Sequence, residues 1–448
     1  MALPSLQQLA RELASGRLRA RELTEQCLGR IHDPAGEGGR TFLKVFAQAA
    51  RAQADGIDAM RAAGVALPRI AGIPVSVKDL FDVAGLVTTA GSHVLEQQPR
   101  AARDAVVVAR LRAAGLIVIG RTNMTEFAFS GLGINPHFGT PLNPFDRATG
   151  RIPGGSSSGA AVSVTDGMAA AALGTDTGGS CRIPAALCGI VGFKPTARRV
   201  PREGVVPLST TLDSVGPLAA SVECCAVLDA VIAGETEEPP PAFPVRGLRL
   251  LQPAGLVMQD LDEHVGRCFE RALGVLARGG ALIERARLDP LERIPEVNAK
   301  GGFSAAESYW LYRGLLESRL AELDPRVGVR MLRGREHSAA DYLQLLQDRA
   351  ALCASLWTQV AGFDALVLPT VPVIAPAVRA LAQEEPYFRV NALVLRNPAL
   401  ANFLDGCAIS LPMHAPGEAP AGLMLMAAPG RDRALLGIAR GVEAALGG

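Results

Sequence analysis

The sequence predicts an α/β protein: a large mixed, mostly parallel β-sheet flanked by helices on both faces, built as one domain over residues 1–448. Three observations predict it. Apolar runs of strand length alternate with segments of helical period, the pattern of βαβ units. A hydrophobic fraction of 49% supports a substantial core, and with aromatics at 4% that core is mostly Ala, Leu, Val and Ile. The 48 glycines and 31 prolines are scattered through apolar segments, which gives many turns without a disordered tract.

The elements follow in chain order. Ser5 is placed to cap a first helix, with Gln8 in the capping-box position and Leu6, Leu9 and Leu13 on one face. Ser15 and Gly16 end it, and a second helix turns Leu23, Cys27, Leu28 and Ile31 inward. Residues 36–39 read as loop and 44–63 as helix. Residues 73–77 read as a short strand that ends at Lys78. Asp104 is expected to cap a helix over 104–114, with Gly115 as its stop and a buried strand at 116–119. The Pro-, Asn- and Gly-rich stretch 135–151 is loop. Residues 160–173 read as a helix passing into a strand, 183–189 as a short helix and 222–233 as an amphipathic helix. The proline-rich run 235–244 is either a linker or a surface crossover. Alternation then resumes with a strand at 248–251, a helix at 264–278 and a strand at 281–286. Helices at 305–323 and 339–360, strands at 363–369 and 421–426, and a helix at 433–445 complete the chain.

Charge and cysteine usage narrow the function. With 45 basic against 44 acidic residues there is no electrostatic footprint for nucleic acid or an anionic membrane. The eight cysteines contain no CxxC pair and the six histidines no HxxxH pair. Buried free thiols in a reducing compartment are therefore expected, and a metal site is not. The N-terminal stretch lacks a secretory pattern, and the Ala-rich run 168–173 is too short to cross a bilayer, so a cytoplasmic protein is expected.

Glycine–serine turns bracket residues 153–182. Lys78, at the end of an apolar strand, either faces solvent or, if walled in, loses its charge readily and serves as a base. Asp79 is expected to partner nearby backbone. The run Thr177, Gly178, Gly179, Ser180 is either an ordinary turn or a set of converging backbone N–H groups that would hold a negative oxygen. Asp176 and Arg182 flank it, as a plain ion pair or as a brace. Gly155–Gly159 fits the G-x-S-x-G elbow centred on Ser157, but no good strand precedes it and no downstream histidine is marked by context. Phosphate-loop patterns are absent.

The run Gly154-Gly-Ser-Ser-Ser-Gly159 and the run Asp176-Thr-Gly-Gly-Ser180, with Ser156 and Ser180 24 residues apart, together resemble the signature region of the amidase signature hydrolases. Segments 73–80, 103–123, 185–195 and 211–217 resemble the same family, and 402–406 and 421–426 do so more weakly. The resemblance implies a Ser–Ser–Lys triad: Ser180 as nucleophile, Ser156 behind a cis Gly155–Ser156 peptide as proton relay, and Lys78 as base. Ser157 and Arg182 match supporting positions. The implied activity is hydrolysis of a small-molecule amide through a Ser180 acyl-enzyme, without metal or organic cofactor and without nucleic acid, with a homodimer left open. The core signature region would occupy about 70–220, and the 290–350 segment would cover the substrate. Two alternatives stand beside this. One is the glutamine-hydrolysing subunit of a transfer-RNA-dependent amidotransferase, from whose usual patterns Cys181-Arg-Ile-Pro184 and Lys194-Pro-Thr-Ala-Arg198 depart. The other is a catalytically silent binding member, disfavoured because Lys78, Ser156 and Ser180 are all present.

Overall fold

Eleven strands form one sheet in the computed structural model, which describes residues 3–447. Met1, Ala2 and Gly448, included in the one-domain expectation, lie outside the described residues. The strands are β1 (Phe42–Val45), β2 (Pro74–Lys78), β3 (Ile117–Thr122), β4 (Ala171–Asp176), β5 (Val191–Lys194), β6 (Ser214–Ala219), β7 (Arg249–Ala254), β8 (Leu282–Arg287), β9 (Ala365–Pro369), β10 (Cys407–Pro412) and β11 (Gly422–Ala427). Their spatial order is β1-β3-β2-β4-β6-β5-β10-β11-β9-β7-β8.

The sheet is mixed and helix-flanked, as expected, but mostly parallel pairing holds only in its two wings. Four pairings are parallel, β3–β2–β4 on one side and β9–β7–β8 on the other. The six antiparallel pairings fill the middle and add β1 at one edge. The reason lies in the connections. Parallel neighbours need a long crossover, and helices Val106–Ala113 and Glu263–Arg278 provide it between β2 and β3 and between β7 and β8. The loop from β10 to β11, residues 413–421, carries no helix and folds the two strands into a hairpin.

Side chains of a strand point alternately to opposite faces, and here each face has its own core. On β11, Leu423, Leu425 and Ala427 join the large cluster that includes Val227, Leu276 and Leu436. Met424 and Met426 between them join a second cluster with Leu356 and Phe403. On β4, Ala171 and Leu173 belong to the large cluster, and Ala172 to a third with Ala160 and Ala185. One face thus packs on helices Val222–Ala233, Glu263–Arg278 and Asp432–Leu446. The other packs on helices Ser158–Thr165 and Arg182–Cys188 and, through Leu400 and Phe403 against Met424 and Met426, on helix Glu384–Phe403, and this second layer carries the site.

Several local expectations change. Residues 44–63 divide into the end of β1 and helix Ala47–Ala62, and a one-turn helix occupies Gly38–Thr41 in the expected loop. Asp104 does not cap its helix; the N-cap is Ala105, while Asp104 accepts the N–H of Ala84 at 2.8 Å and pairs with Arg112. Helix Val222–Ala233 is buried nearly all round, because it is sandwiched between the sheet and helices Val106–Ala113 and Asp432–Leu446. The 235–244 run lies along the last helix, where the N–H of Phe243 donates to the carbonyl of Gly437. Among the described residues no helix is long and apolar enough to cross a membrane.

Candidate active site

β2 and β4 are parallel neighbours, so their carboxyl ends open on the same side, where open α/β sheets place ligands. Lys78 ends β2, and Thr175 and Asp176 end β4. Helix Ser158–Thr165 packs across these strands, fixed by a 2.8 Å contact between the hydroxyls of Ser163 and Ser76, and its leading turn carries Ser156 to Lys78. Lys78 Nζ donates to Ser156 Oγ at 2.7 Å and to Thr175 Oγ1 at 2.9 Å, and all three side chains are buried. Of the two readings open for Lys78, the solvent-facing one is excluded. Among the described residues the amine has no ion-pair partner. Burial brings it down from 10.5 to about 7, against the weaker pull of Cys181, Asp213 and Asp176. The Gly155–Ser156 peptide is cis.

Ser180 lies in the turn between β4 and helix Arg182–Cys188, on the wall of a cavity of about 440 Å³ shared with Thr177 and Gly178. Asp176 organises this turn. Its Oδ1 accepts the N–H of Gly179 at 2.8 Å and its Oδ2 the N–H of Cys181 at 3.1 Å. Arg182 grips the same carboxylate through Nη2 at 2.8 Å and Nε at 3.0 Å, and Asn402 Nδ2 donates to both its carbonyl and Oδ1 at 2.9 Å. Burial alone would raise the Asp176 carboxyl; the Arg182 guanidinium outweighs it and holds the group at about 2. The ion pair and the brace, left as alternatives by the sequence, are one object.

That brace alters one expectation. Gly179, at φ +123°, turns its N–H onto Asp176 and away from the cavity. Among the described residues the N–H groups of Thr177, Gly178 and Ser180 have no acceptor, and all three residues line the cavity. Ser157 is buried and off the cavity wall: its N–H donates to the Ser180 carbonyl at 3.4 Å and its hydroxyl to the Thr175 carbonyl at 3.3 Å. It ties the two serine turns together, which is unlike an exposed elbow nucleophile. Gly174 makes room for this, since a Cβ there would come within 2.8 Å of Ser157 Oγ. Asp79 accepts from Thr89 and the N–H of Gly91 and pairs with Arg121, a partner of local structure as expected.

Four contributors were not singled out from the sequence. Thr175 meets Lys78 only because β2 and β4 pair in this register. Asn402 and Asp213 reach the turn from 226 and 36 residues along the chain. Asp213 accepts from Thr177 Oγ1 at 2.5 Å and from the N–H groups of Leu208 and Ser209; burial pushes its carboxyl up to about 6. Glu307 holds the same loop, accepting from Ser209, Thr211 and Tyr342. Segment 211–217 and residue 402 lay within the family resemblance, the one signal that pointed at two of them. The 290–350 segment contributes Ile294, Phe303 and Arg330 to the cavity wall, and helix Glu384–Phe403 contributes Leu395 and Phe403.

Among the described residues one group of side chains that could hold a metal ion lies elsewhere: His264, Cys268 and Glu418. Sequence inspection missed it because Glu418 is remote from a His–Cys pair at i, i+4. Its ligand atoms are already engaged. His264 Nε2 lies 2.8 Å from the Ala419 carbonyl, and Arg271 Nη2 supplies the positive charge to Glu418 at 2.6 Å.

The family model described as Amidase matches residues 22–436. The chain is 38% identical to the 2-amino-5-chloromuconic acid deaminase of Comamonas testosteroni, over 97% of this chain and 95% of that protein. It is 37% identical to a glutamyl-tRNA(Gln) amidotransferase subunit from Roseiflexus castenholzii (strain DSM 13941 / HLO8), over 82% of this chain and 81% of that protein. The crystal structure of an amidase superposes with a TM-score of 0.88 at 31% identity, covering 98% of this chain and 99% of that one.

Proposed function

The chain belongs to the amidase family of carbon–nitrogen hydrolases, and from that premise we propose that it cleaves a small amide through an acyl-enzyme on Ser180, with Ser156 as proton relay and Lys78 as base. The observation that carries this is the buried contact between Lys78 Nζ and Ser156 Oγ at 2.7 Å, made by an amine that is half uncharged near pH 7. A neutral amine can accept a proton where an ammonium cannot.

The steps follow. Ser180 Oγ attacks the amide carbonyl carbon, passing its proton to Ser156 Oγ as the Ser156 proton moves to Lys78 Nζ. The carbonyl oxygen becomes an oxyanion, received by the N–H groups of Thr177, Gly178 and Ser180; one such donor is typically worth about 3–4 kcal/mol. The C–N bond then breaks as the proton returns along the relay to the leaving nitrogen, releasing ammonia or an amine. Water attacks the remaining ester by the same relay, giving a carboxylic acid and restoring Ser180. Asp176, Arg182 and Ser157 hold the turn in place; Gly179 contributes by its backbone shape.

A cavity of about 440 Å³ suits a small molecule, and the deaminase relative is named for one. Eight free cysteines, seven of them buried, fit a reducing cytoplasm.

The test is a panel of simple amides with purified protein, and labelling by a serine-reactive fluorophosphonate. Ser180→Ala should abolish labelling, and Lys78→Ala should cut hydrolysis by about 10³-fold or more. Hydrolysis near wild type in either variant overturns the assignment. The second reading, a glutamine-hydrolysing component of an amidotransferase, draws on the Roseiflexus relative. It predicts silence on simple amides until transfer RNA and partner subunits are added. Silence in both assays, without labelling, would identify a binding protein.

A further inference from the structure

Glu126 is a buried acid that the proposed steps do not use. Its side chain is fully enclosed, and among the described residues no lysine or arginine pairs with it. Its Oε1 accepts the Ser92 hydroxyl at 2.6 Å, with His137 Nε2 at 3.0 Å, and its Oε2 accepts the N–H of Asp324 at 2.7 Å. Asp324 caps helix Pro325–Leu332, so the acid ties its own segment to a helix 198 residues along the chain. Burying a carboxyl without a strong cation is unfavourable, and an apolar side chain would fill the same space at less cost in free energy.

The segment that Glu126 holds is strained. Among the described residues six non-glycine residues have a left-handed φ, and three of them meet here: Phe127 at +49°, Ala128 at +59° and Ala90 at +48°. The N–H of Phe127 donates to the Ala90 carbonyl at 2.9 Å. Such a backbone persists only where its surroundings over-determine it, and it gathers at functional sites. Parts of the site lie on either side. Before Glu126, the N–H of Thr125 donates to the carbonyl of Ser156 at 3.1 Å. After it, Ala128, Phe129 and Ser130 form part of the cavity wall that also carries Ser180. The far end of this wall is fixed by helix Glu384–Phe403: the Ser130 hydroxyl donates to Asn391 Oδ1 at 2.9 Å and accepts from the Tyr387 hydroxyl at 3.0 Å. Glu126 supplies the side-chain anchor at the near end.

We propose that Glu126 is a positioning residue for the Ser180 reaction: its carboxyl joins Ser92 to the cap of helix Pro325–Leu332 and so keeps both the 127–130 wall and the Thr125–Ser156 contact in place. This rests on the Ser180 reading and adds a residue to it. Glu126 itself is off the cavity wall and acts through the backbone on its two sides. Without the acid, Phe127 and Ala128 relax towards right-handed or extended backbone. The wall then moves, which weakens substrate binding. Thr125 shifts with it and displaces the turn bearing Ser156, which slows the proton relay.

The experiment measures kcat, KM and fluorophosphonate labelling for wild type, Glu126→Ala, Glu126→Gln and Ser92→Ala, on the amide that wild type hydrolyses fastest. Rates are expressed per site titrated by the fluorophosphonate, which separates slow enzyme from unfolded enzyme. Glu126→Ala should lose about 10- to 100-fold in kcat/KM, shared between a higher KM and a lower kcat, because a displacement of about 1 Å costs that much in an oriented site. Glu126→Gln keeps an acceptor for the Asp324 N–H and can donate to the Ser92 oxygen, so it should stay within about fivefold of wild type. Ser92→Ala leaves the Asp324 bond intact and should lose less than Glu126→Ala, in the same direction. A purely structural Glu126 predicts a lower melting temperature and fewer titratable sites, with wild-type kcat and KM at each. That result, or a Gln variant no better than Ala, overturns the role. Should Glu126→Ala yield no folded protein, Ser92→Ala decides by the same criterion. Absence of labelling and hydrolysis in wild type overturns the Ser180 reading instead, and the positioning role falls with it.

Discussion

Acidification should switch this enzyme off through one amine. With Lys78 at about 7, half the molecules hold it uncharged at pH 7, about nine-tenths at pH 8 and about one-tenth at pH 6. An unshifted lysine at 10.5 would be neutral in only about 3 molecules in 10,000 at pH 7. So kcat/KM should fall about tenfold per pH unit below 7 and level off above 8. Initial rates of amide hydrolysis from about pH 5 to 10, at constant ionic strength, measure it. An acid limb near 10, or none, refutes the assignment of Lys78 as base. Stability supplies an independent check. The folded pKa lies below the unfolded one, so the unfolded chain binds the extra proton between about 7 and 10.5, and stability rises with pH across that window. The difference in unfolding free energy between wild type and Lys78→Met, followed by urea denaturation at about pH 7 and 9, should shift by roughly 2 kcal/mol in favour of wild type at the higher pH. A difference that does not move with pH means the amine is not desolvated.

Other perturbations separate the parts of the site. Arg182→Met strands the buried Asp176 carboxylate and should cost about 3–5 kcal/mol, read as a fall in melting temperature; an unchanged value would show that the pair does not hold the turn. Gly179→Ala places a Cβ 2.5 Å from Pro398 Cβ at a left-handed φ, whereas Gly178→Ala meets nothing closer than 3.4 Å. Circular dichroism and melting should therefore show Gly179→Ala losing about 1–3 kcal/mol and Gly178→Ala little, and equal losses would contradict this geometry. Asp213 raises the Lys78 pKa, so Asp213→Asn should move the acid limb of the rate profile to lower pH, by less than about one unit; movement upward refutes that coupling.

The local parts of this protein were legible because local residues specify them. Helix Val222–Ala233 begins at Ser221, which accepts the N–H of Cys224, and ends at Gly234 with φ +79°, and both signals stand in the sequence at those positions. β2 announced itself by an apolar run closing on Lys78. The strands β5, β6 and β10 were not seen. They are short, carry Gly192, Gly216, Pro217 and Pro412, and are buried on both faces, so no alternation marks them. Helix Glu384–Phe403 was hidden by Pro398 within it. Asp104 misled because a cap residue and an ion-pair acid look alike until the partner, Arg112, is in place.

Sequence by itself determined the two serine turns, their separation and the lysine at the end of an apolar strand. Those are properties of residue type and spacing, and they sufficed to indicate the chemistry. Tertiary structure alone decided that Lys78 is desolvated and that Gly179 turns its N–H onto Asp176. Each of these depends on which groups surround a side chain from distant parts of the chain. Charge state and hydrogen-bond direction follow that surrounding, which only the packed fold supplies.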